Sequence, residues 1–212
     1  MDELPEFSRE ALETLRQPLE KGEIWIALAS AHIRYPCRFL LIAAANPCKC
    51  GYVYQAERAC NKAPHCGAHY FQRLSGPLLD RFDLCVHVEA TSFTSLQNHE
   101  LGETTGDIAA RVRAARRCQS LRFSAHDGIH SNADAHGKLL TQTCALATET
   151  ISWLHKALDH FQLSPRGYHR MLRVARTIAD LEGSDTIEKP HLSEALSFRP
   201  FPASGETAKQ AG

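Results

Sequence analysis

The sequence predicts an α/β fold up to about residue 125 that gives way to an all-helical portion spanning 126–202. Three observations predict it. The run Phe39 to Ala45 is apolar throughout, as a strand covered on both faces would be. Helical periodicity sets in at Lys138 and persists to Phe198. Two polar stretches, 91–107 and 124–137, lie between the two patterns and read as connectors.

Along the chain, Ser8 reads as an N-cap before a helix through Leu12 and Leu15, with Lys21-Gly22 as the turn that ends it. IWIAL and RFLLIAAA then read as strands, and DRFDLCVHVEA returns to strand character. Between Asn46 and Gly67 the chain carries four cysteines without sustained periodicity, so something other than a core must hold it. Residues 107–123 form a basic helix candidate with Arg111, Arg113, Arg116, Arg117 and Arg122. Ser164 and Pro165 cap a later helix that Gly183 ends, with Leu172, Ala175, Ile178 and Ala179 as its apolar stripe. Residues 203–212 are expected to be disordered.

Composition narrows the function classes. With 212 residues, 43% of them hydrophobic, the chain can bury roughly two-thirds of its unfolded surface and needs no disulfide framework. Its longest apolar run is far short of the roughly 20 residues that cross a bilayer, so no membrane-spanning helix is expected. The acidic start MDELPEFSRE is unlike a secretory signal, which points to a reducing cytoplasm where the eight cysteines are thiols or metal ligands. Basic and acidic residues balance at 24 each, which argues against coating nucleic acid by bulk charge.

Taken singly, the polar candidates have plain structural readings. Asp2 and Glu3 are two carboxylates at a chain start, and Asn46-Pro47 closes an apolar strand as a turn does. It also puts an amide at a strand's C-terminal edge, where open α/β sheets bind ligands. Arg81 between Asp80 and Asp83 reads as a surface ion pair, and Arg166, Arg170 and Arg173 share a helical face. Cys48, Cys50, Cys60 and Cys66 could hold a tetrahedral Zn²⁺, with His65 or His69 as substitute ligands; free thiols or a redox pair remain the alternative. Cys37, Cys85, Cys118 and Cys144 read as small buried hydrophobes.

Four strings together, DELPEFSREALETLRQPLEKGEI, YPCRFLLIAAANPCKCGY, RLSGPLLDRFDL and LSPRGYHRMLRVARTIADLEGSDTI, resemble the C-terminal half of the ComM/YifB proteins. These form the magnesium-chelatase-like branch of the AAA+ ATPases. The resemblance implies the rear of a parallel-sheet P-loop ATPase core over 1–125, with a Cys-rich insertion at 46–67, and a helical lid over 126–202. It implies ATP and Mg²⁺ as cofactors: Asp2 holds Mg²⁺, Glu3 acts on the attacking water, Asn46 is the sensor 1 residue, Arg81 the arginine finger, Arg166 the sensor 2 residue of the lid, and Arg73 a further interface candidate. It also implies self-association into a ring, a hexamer in the full-length form, acting on DNA in competence, recombination and branch migration.

Two departures qualify that resemblance. The phosphate-cradling pattern G-x-x-x-x-G-K-[ST] occurs nowhere in these residues; the one Gly-Lys pair, Gly137-Lys138, is followed by Leu139 and has Asn132 where the first glycine belongs. Leu28 stands near the place where the family carries a hairpin arginine. The chain alone is therefore expected to bind ATP weakly or not at all, the front of the pocket being supplied from elsewhere. A catalytically inert remnant or zinc-stabilised interaction module, and a magnesium-chelatase motor subunit, are the alternatives.

Overall fold

The computed structural model describes residues 1–53, 55, 57–88, 102–161 and 163–199, which gather into two units, Met1–Phe82 and Asp83–Arg199. The connector over 91–101 and the tail expected at 203–212 lie outside the described residues.

In the first unit, a 3-10 turn at Leu4–Glu6 leads into α1 (Arg9–Thr14) and α2 (Arg16–Lys21). Ser8 caps α1 as expected, its hydroxyl accepting from Ala11 N at 3.2 Å. The single expected helix is broken at Leu15, three residues before Pro18, which lacks the N–H that a continuous helix would use. Gly22, in the left-handed region at φ 66°, turns the chain into β1 (Glu23–Leu28). β1 pairs antiparallel with β2 (Ala31–Pro36) in register Glu23↔Pro36 to Leu28↔Ala31 across the two-residue loop Ala29-Ser30.

This hairpin is the only sheet among the described residues, so IWIAL is a hairpin strand. RFLLIAAA and residues 83–88 form no strand of that sheet. The sequence could not separate an apolar strand inside a sheet from one that lacks a neighbour here. One segment does find a neighbour: Met1 N donates to Ile42 O at 2.7 Å, and Ala44 N donates to Met1 O at 2.9 Å, the bracketing exchange made by parallel chains. The alternate face of that segment is bare, with Leu40 85% and Ile42 72% exposed. α3 (His65–Phe71) and α4 (Gly76–Leu79) complete the unit. Leu4, Leu12, Leu74 and Leu78 form its small core.

The second unit holds α5 (Thr105–Arg122), α6 (Gly137–Thr143), α7 (Thr148–Phe161), α8 (Pro165–Glu182) and α9 (Lys189–Ser197). Ser164 Oγ accepts from Gly167 N at 3.1 Å and Gly183 takes φ 81°, so the predicted caps hold. Leu172 and Ala175 of the predicted stripe are buried with Leu140, Leu154, Ile187 and Leu192 in a core larger than that of the first unit, Ile178 packs against it, and Ala179 is buried as well.

Of the cysteines expected to be buried hydrophobes only Cys144 is; Cys37 is half-buried, and Cys85 and Cys118 are exposed. The reason for Cys118 is that α5 turns Ala115 and Gln119 inward, and position 118 falls beside that stripe.

Candidate functional site

Local sequence positions the first group of candidates. The parallel exchange of Met1 with Ile42 and Ala44, extended by Leu4 N donating to Ala44 O at 2.9 Å, brings the Asp2-Glu3 pair and Asn46 to the same end of two neighbouring segments. All three are exposed, and Asp2 Oδ1 accepts from Glu3 N at 2.9 Å. Glu3 is the one non-glycine residue with positive φ (48°) among the described residues. The left-handed region disfavours a residue with a Cβ, so the turn that presents this carboxylate stores about 1 kcal/mol or more of strain. Nothing in the residue string MDELPEF marks that conformation.

Arg81 and Arg73 are engaged within their own unit. Arg81 Nε donates to Arg16 O at 3.0 Å, and its guanidinium also reaches Pro77 O and the Glu20 carboxylate, leaving the side chain 8% exposed. Sequence spacing pointed to Asp80 or Asp83 as its partner; Glu20, 61 residues earlier, is a tertiary partner that local reading could not find. Arg73 Nη1 donates to Pro5 O at 3.1 Å and lies 3.3 Å from Glu6 Oε2, which ties α3's exit to the turn after Glu3. Leu28 is exposed at the end of β1, while the hairpin's arginine is Arg34 on β2, 3.5 Å from Glu23.

The cysteine loop closes on itself. Cys48, Cys50 and Cys66 place their sulfurs within 4.8 Å of one another, a donor set that fits a thiophilic ion. Cys48 is fully buried and its Sγ lies 3.0 Å from Cys50 Sγ. Hydrogen bonding from Cys48, then from the backbone of Tyr52 and Cys60, lowers the Cys50 thiol to about 6. Burial, then the neighbouring thiols of Cys60 and Cys48, pushes Cys66 up to about 12. Cys60 contributes to the shifts of both Cys50 and Cys66 and so borders the trio without joining it. His65 and His69, the substitute ligands, are exposed on α3 and join no cluster among the described residues.

In the second unit, Arg166 is exposed on the first turn of α8. Arg170 is buried, and Arg173 Nη1 donates to Ala133 O at 3.2 Å and lies 3.3 Å from His136 Nδ1, so the arginine face read from spacing is not a free stripe. The basic helix α5 is likewise divided. Arg122 is bidentate to Asp180 at 2.8 and 2.6 Å, Arg111 pairs with Glu103, and Arg116 donates to Gln119 at 3.1 Å. Arg113 and Arg117 remain exposed with no ion pair among the described residues.

Asp180, 1% exposed as a side chain, also takes Arg176 Nε at 3.1 Å, Asn132 Nδ2 at 2.8 Å and Gln119 Nε2 at 3.3 Å. Burial raises its carboxyl, but the hydrogen bonds from Arg122 and Asn132 and the charges of Arg122 and Arg176 outweigh it and hold the group below the usual carboxylate value. The α8 string RVARTIAD puts Arg176 and Asp180 one turn apart, the one sequence signal that could have pointed to this network.

No helix among the described residues is long and apolar enough to cross a membrane. Two sequence families match the chain. Magnesium chelatase, subunit ChlI, covers residues 1–96, and Magnesium chelatase, subunit ChlI C-terminal, covers 102–199. Competence protein ComM of Haemophilus influenzae is 44% identical over 200 residues, which are 94% of this chain and 38% of that protein. The protein YifB of Escherichia coli is 40% identical over 200 residues, with the same shares. A Mycobacterium tuberculosis protein is 40% identical over 202 residues, 94% of this chain and 39% of its own length. The chain thus spans well under half of these relatives.

Proposed function

We propose, given that this chain belongs to the magnesium chelatase family and its ComM- and YifB-like branch, that it forms the rear half of an AAA+ ATP-hydrolysing motor whose phosphate-gripping front lies outside these residues. The observation that carries the reading is the pairing of Met1 with Ile42 and Ala44, which supports a common edge for Asp2, Glu3 and Asn46.

The donor set fits its ligands. Two carboxylates suit a hard divalent cation and a water, and an adjacent amide suits a phosphate oxygen. Mg²⁺ bound with ATP supplies neutralisation of phosphate charge. Asp2 holds that ion, Glu3 orients and deprotonates the attacking water, and Asn46 fixes the water and the terminal phosphate by hydrogen bonding. Arg166 donates to the phosphates from the lid. Arg81 serves a neighbouring subunit, exchanging Glu20 for the transferring phosphate, which makes a ring, a hexamer, the working form. A structural Zn²⁺ on Cys48, Cys50 and Cys66, with Cys60 as fourth ligand, orders the 46–67 loop. DNA is the track, with the exposed Arg113 and Arg117 as phosphate contacts, and the cytoplasm is the compartment.

One observation favours a second reading, a catalytically inert, zinc-stabilised interaction module: the sulfurs of Cys48, Cys50 and Cys66 lie within 4.8 Å of one another. A chelatase motor subunit is less favoured, because the cysteine-rich insertion after Asn46 argues for the ComM-like branch. A chimera separates them, with this chain replacing the matching portion of the Haemophilus protein. The motor reading expects ATP hydrolysis that falls by roughly 10²-fold or more in Glu3→Gln, Asn46→Ala and Arg81→Ala. A folded chimera that hydrolyses ATP equally well with Arg81→Ala would reject the assignment, and one that binds no nucleotide would favour the interaction module.

A further inference from the structure

We propose that Cys48 and Cys50 are a reversible dithiol switch: a low-molecular-weight disulfide oxidises the pair to an intrachain disulfide, and that disulfide and a thiolate-bound metal exclude each other in this loop. The inference rests on the metal reading of the cluster and adds its regulation.

The geometry comes from a tight turn. Gly51 N donates to Cys48 O at 3.0 Å, and Gly51 takes φ 79°, a left-handed conformation suited to glycine. The turn folds positions 48 and 50 together and sets their sulfurs 3.0 Å apart, about 1 Å longer than a disulfide bond. Exposure then divides the work. Cys50 is half-buried and can meet a small disulfide, whereas Cys48 is fully buried and can meet only Cys50 or its neighbours in the cluster.

The chemistry balances. The Cys50 thiolate attacks one sulfur of oxidised glutathione, forming a mixed disulfide and expelling one glutathione thiolate. Cys48 then attacks Cys50 Sγ, breaking the mixed disulfide; the second glutathione leaves as a thiolate, and the Cys48 proton goes to solvent or to that leaving thiolate. Two protein thiols are oxidised and one glutathione disulfide is reduced to two thiols. The product leaves only Cys60 and Cys66 as thiolate donors, too few for a closed tetrahedral site.

The consequence is local and near Asn46. Cys66 lies in the first turn of α3 beside Gly67, whose Cα faces the Pro47 carbonyl so closely that a Cβ there would stand 2.9 Å from the oxygen. A metal across Cys48, Cys50 and Cys66 therefore clamps α3 to the residue that follows Asn46. Withdrawal of the first two sulfurs into a disulfide opens the clamp.

The test uses the purified chain, reduced, loaded with Zn²⁺, and titrated through reduced and oxidised glutathione buffers. Free thiols are alkylated, the 48–50 peptide is mapped by mass, and released Zn²⁺ is read with a chromogenic chelator. The expected result is loss of two hydrogens within that peptide, with one Zn²⁺ released for each disulfide formed, reversed by excess reduced glutathione. Cys48→Ser should stop at glutathione attached to Cys50, and Cys85→Ser with Cys118→Ser should change nothing. Wild-type Cys48 and Cys50 that remain thiols, or a disulfide that forms while Zn²⁺ stays bound, would overturn the switch. If the reduced chain takes up no Zn²⁺, the metal reading fails and takes the exclusion with it, while the peptide map still decides whether the disulfide forms.

Discussion

Residues 83–199 close their own core, whereas residues 1–82 leave theirs open. The helical unit surrounds Leu154, Met171, Ala175, Ile187 and Leu192 with apolar neighbours and fills a buried charge site with matched donors around Asp180. The first unit buries four leucines, gathers three cysteine sulfurs in one loop, and shows a bare apolar face at Leu40 and Ile42. The difference teaches where stability resides. A unit with a closed core can be self-sufficient, while one with a bare apolar face keeps surface for whatever covers it.

The comparison can be attacked from the helical side first. Asp180→Ala strands Arg176, 2% exposed, and Arg122 without their anion, and should lower the stability of the 83–199 unit by about 3–5 kcal/mol in urea unfolding. Leu154→Ala, in the same closed core, should cost about 2–5 kcal/mol, while Leu40→Ala should stay within about 0.5 kcal/mol because little is buried there to lose. A large loss at Leu40 would mean that the bare face is covered after all.

Acid provides a subtler probe. The Asp180 carboxyl is lower in the folded chain than its ordinary 3.8, so its contribution is fully present above that value and is lost as pH falls through the lower, folded value. The urea midpoint of the helical unit should therefore drop below about pH 4, and Asp180→Asn should flatten that part of the profile. The smallest effects belong to single caps. Ser164→Ala removes the oxygen that accepts from Gly167 N and should cost about 1 kcal/mol, read as a few degrees in thermal unfolding.

Legibility in the sequence follows the range of the interaction. The caps at Ser8, Ser164 and Gly183 and the stripe of α8 were readable because their partners lie within a turn or two. The cysteine loop was readable because all its sulfurs fall within one segment, although which three meet was not. Arg81 with Glu20, and Asp180 with Arg122, join residues roughly sixty positions apart, and no local pattern marks them. RFLLIAAA read as a doubly covered strand because composition reports what a segment can bury, not whether its cover belongs to the same stretch of chain. Glu3's left-handed backbone was invisible because an ordinary acidic residue carries no sign of strain.

The most direct measurement mixes two variants of the chimera, one carrying Arg81→Ala and the other Glu3→Gln. In a ring where Arg81 serves its neighbour, pockets with an intact Glu3 can receive an intact Arg81 from the other variant, so ATP hydrolysis should rise well above either variant alone. Mixtures no more active than their separate components would contradict the account, and would leave Arg81 as the anchor between Glu20 and Arg16 that it is within its own chain.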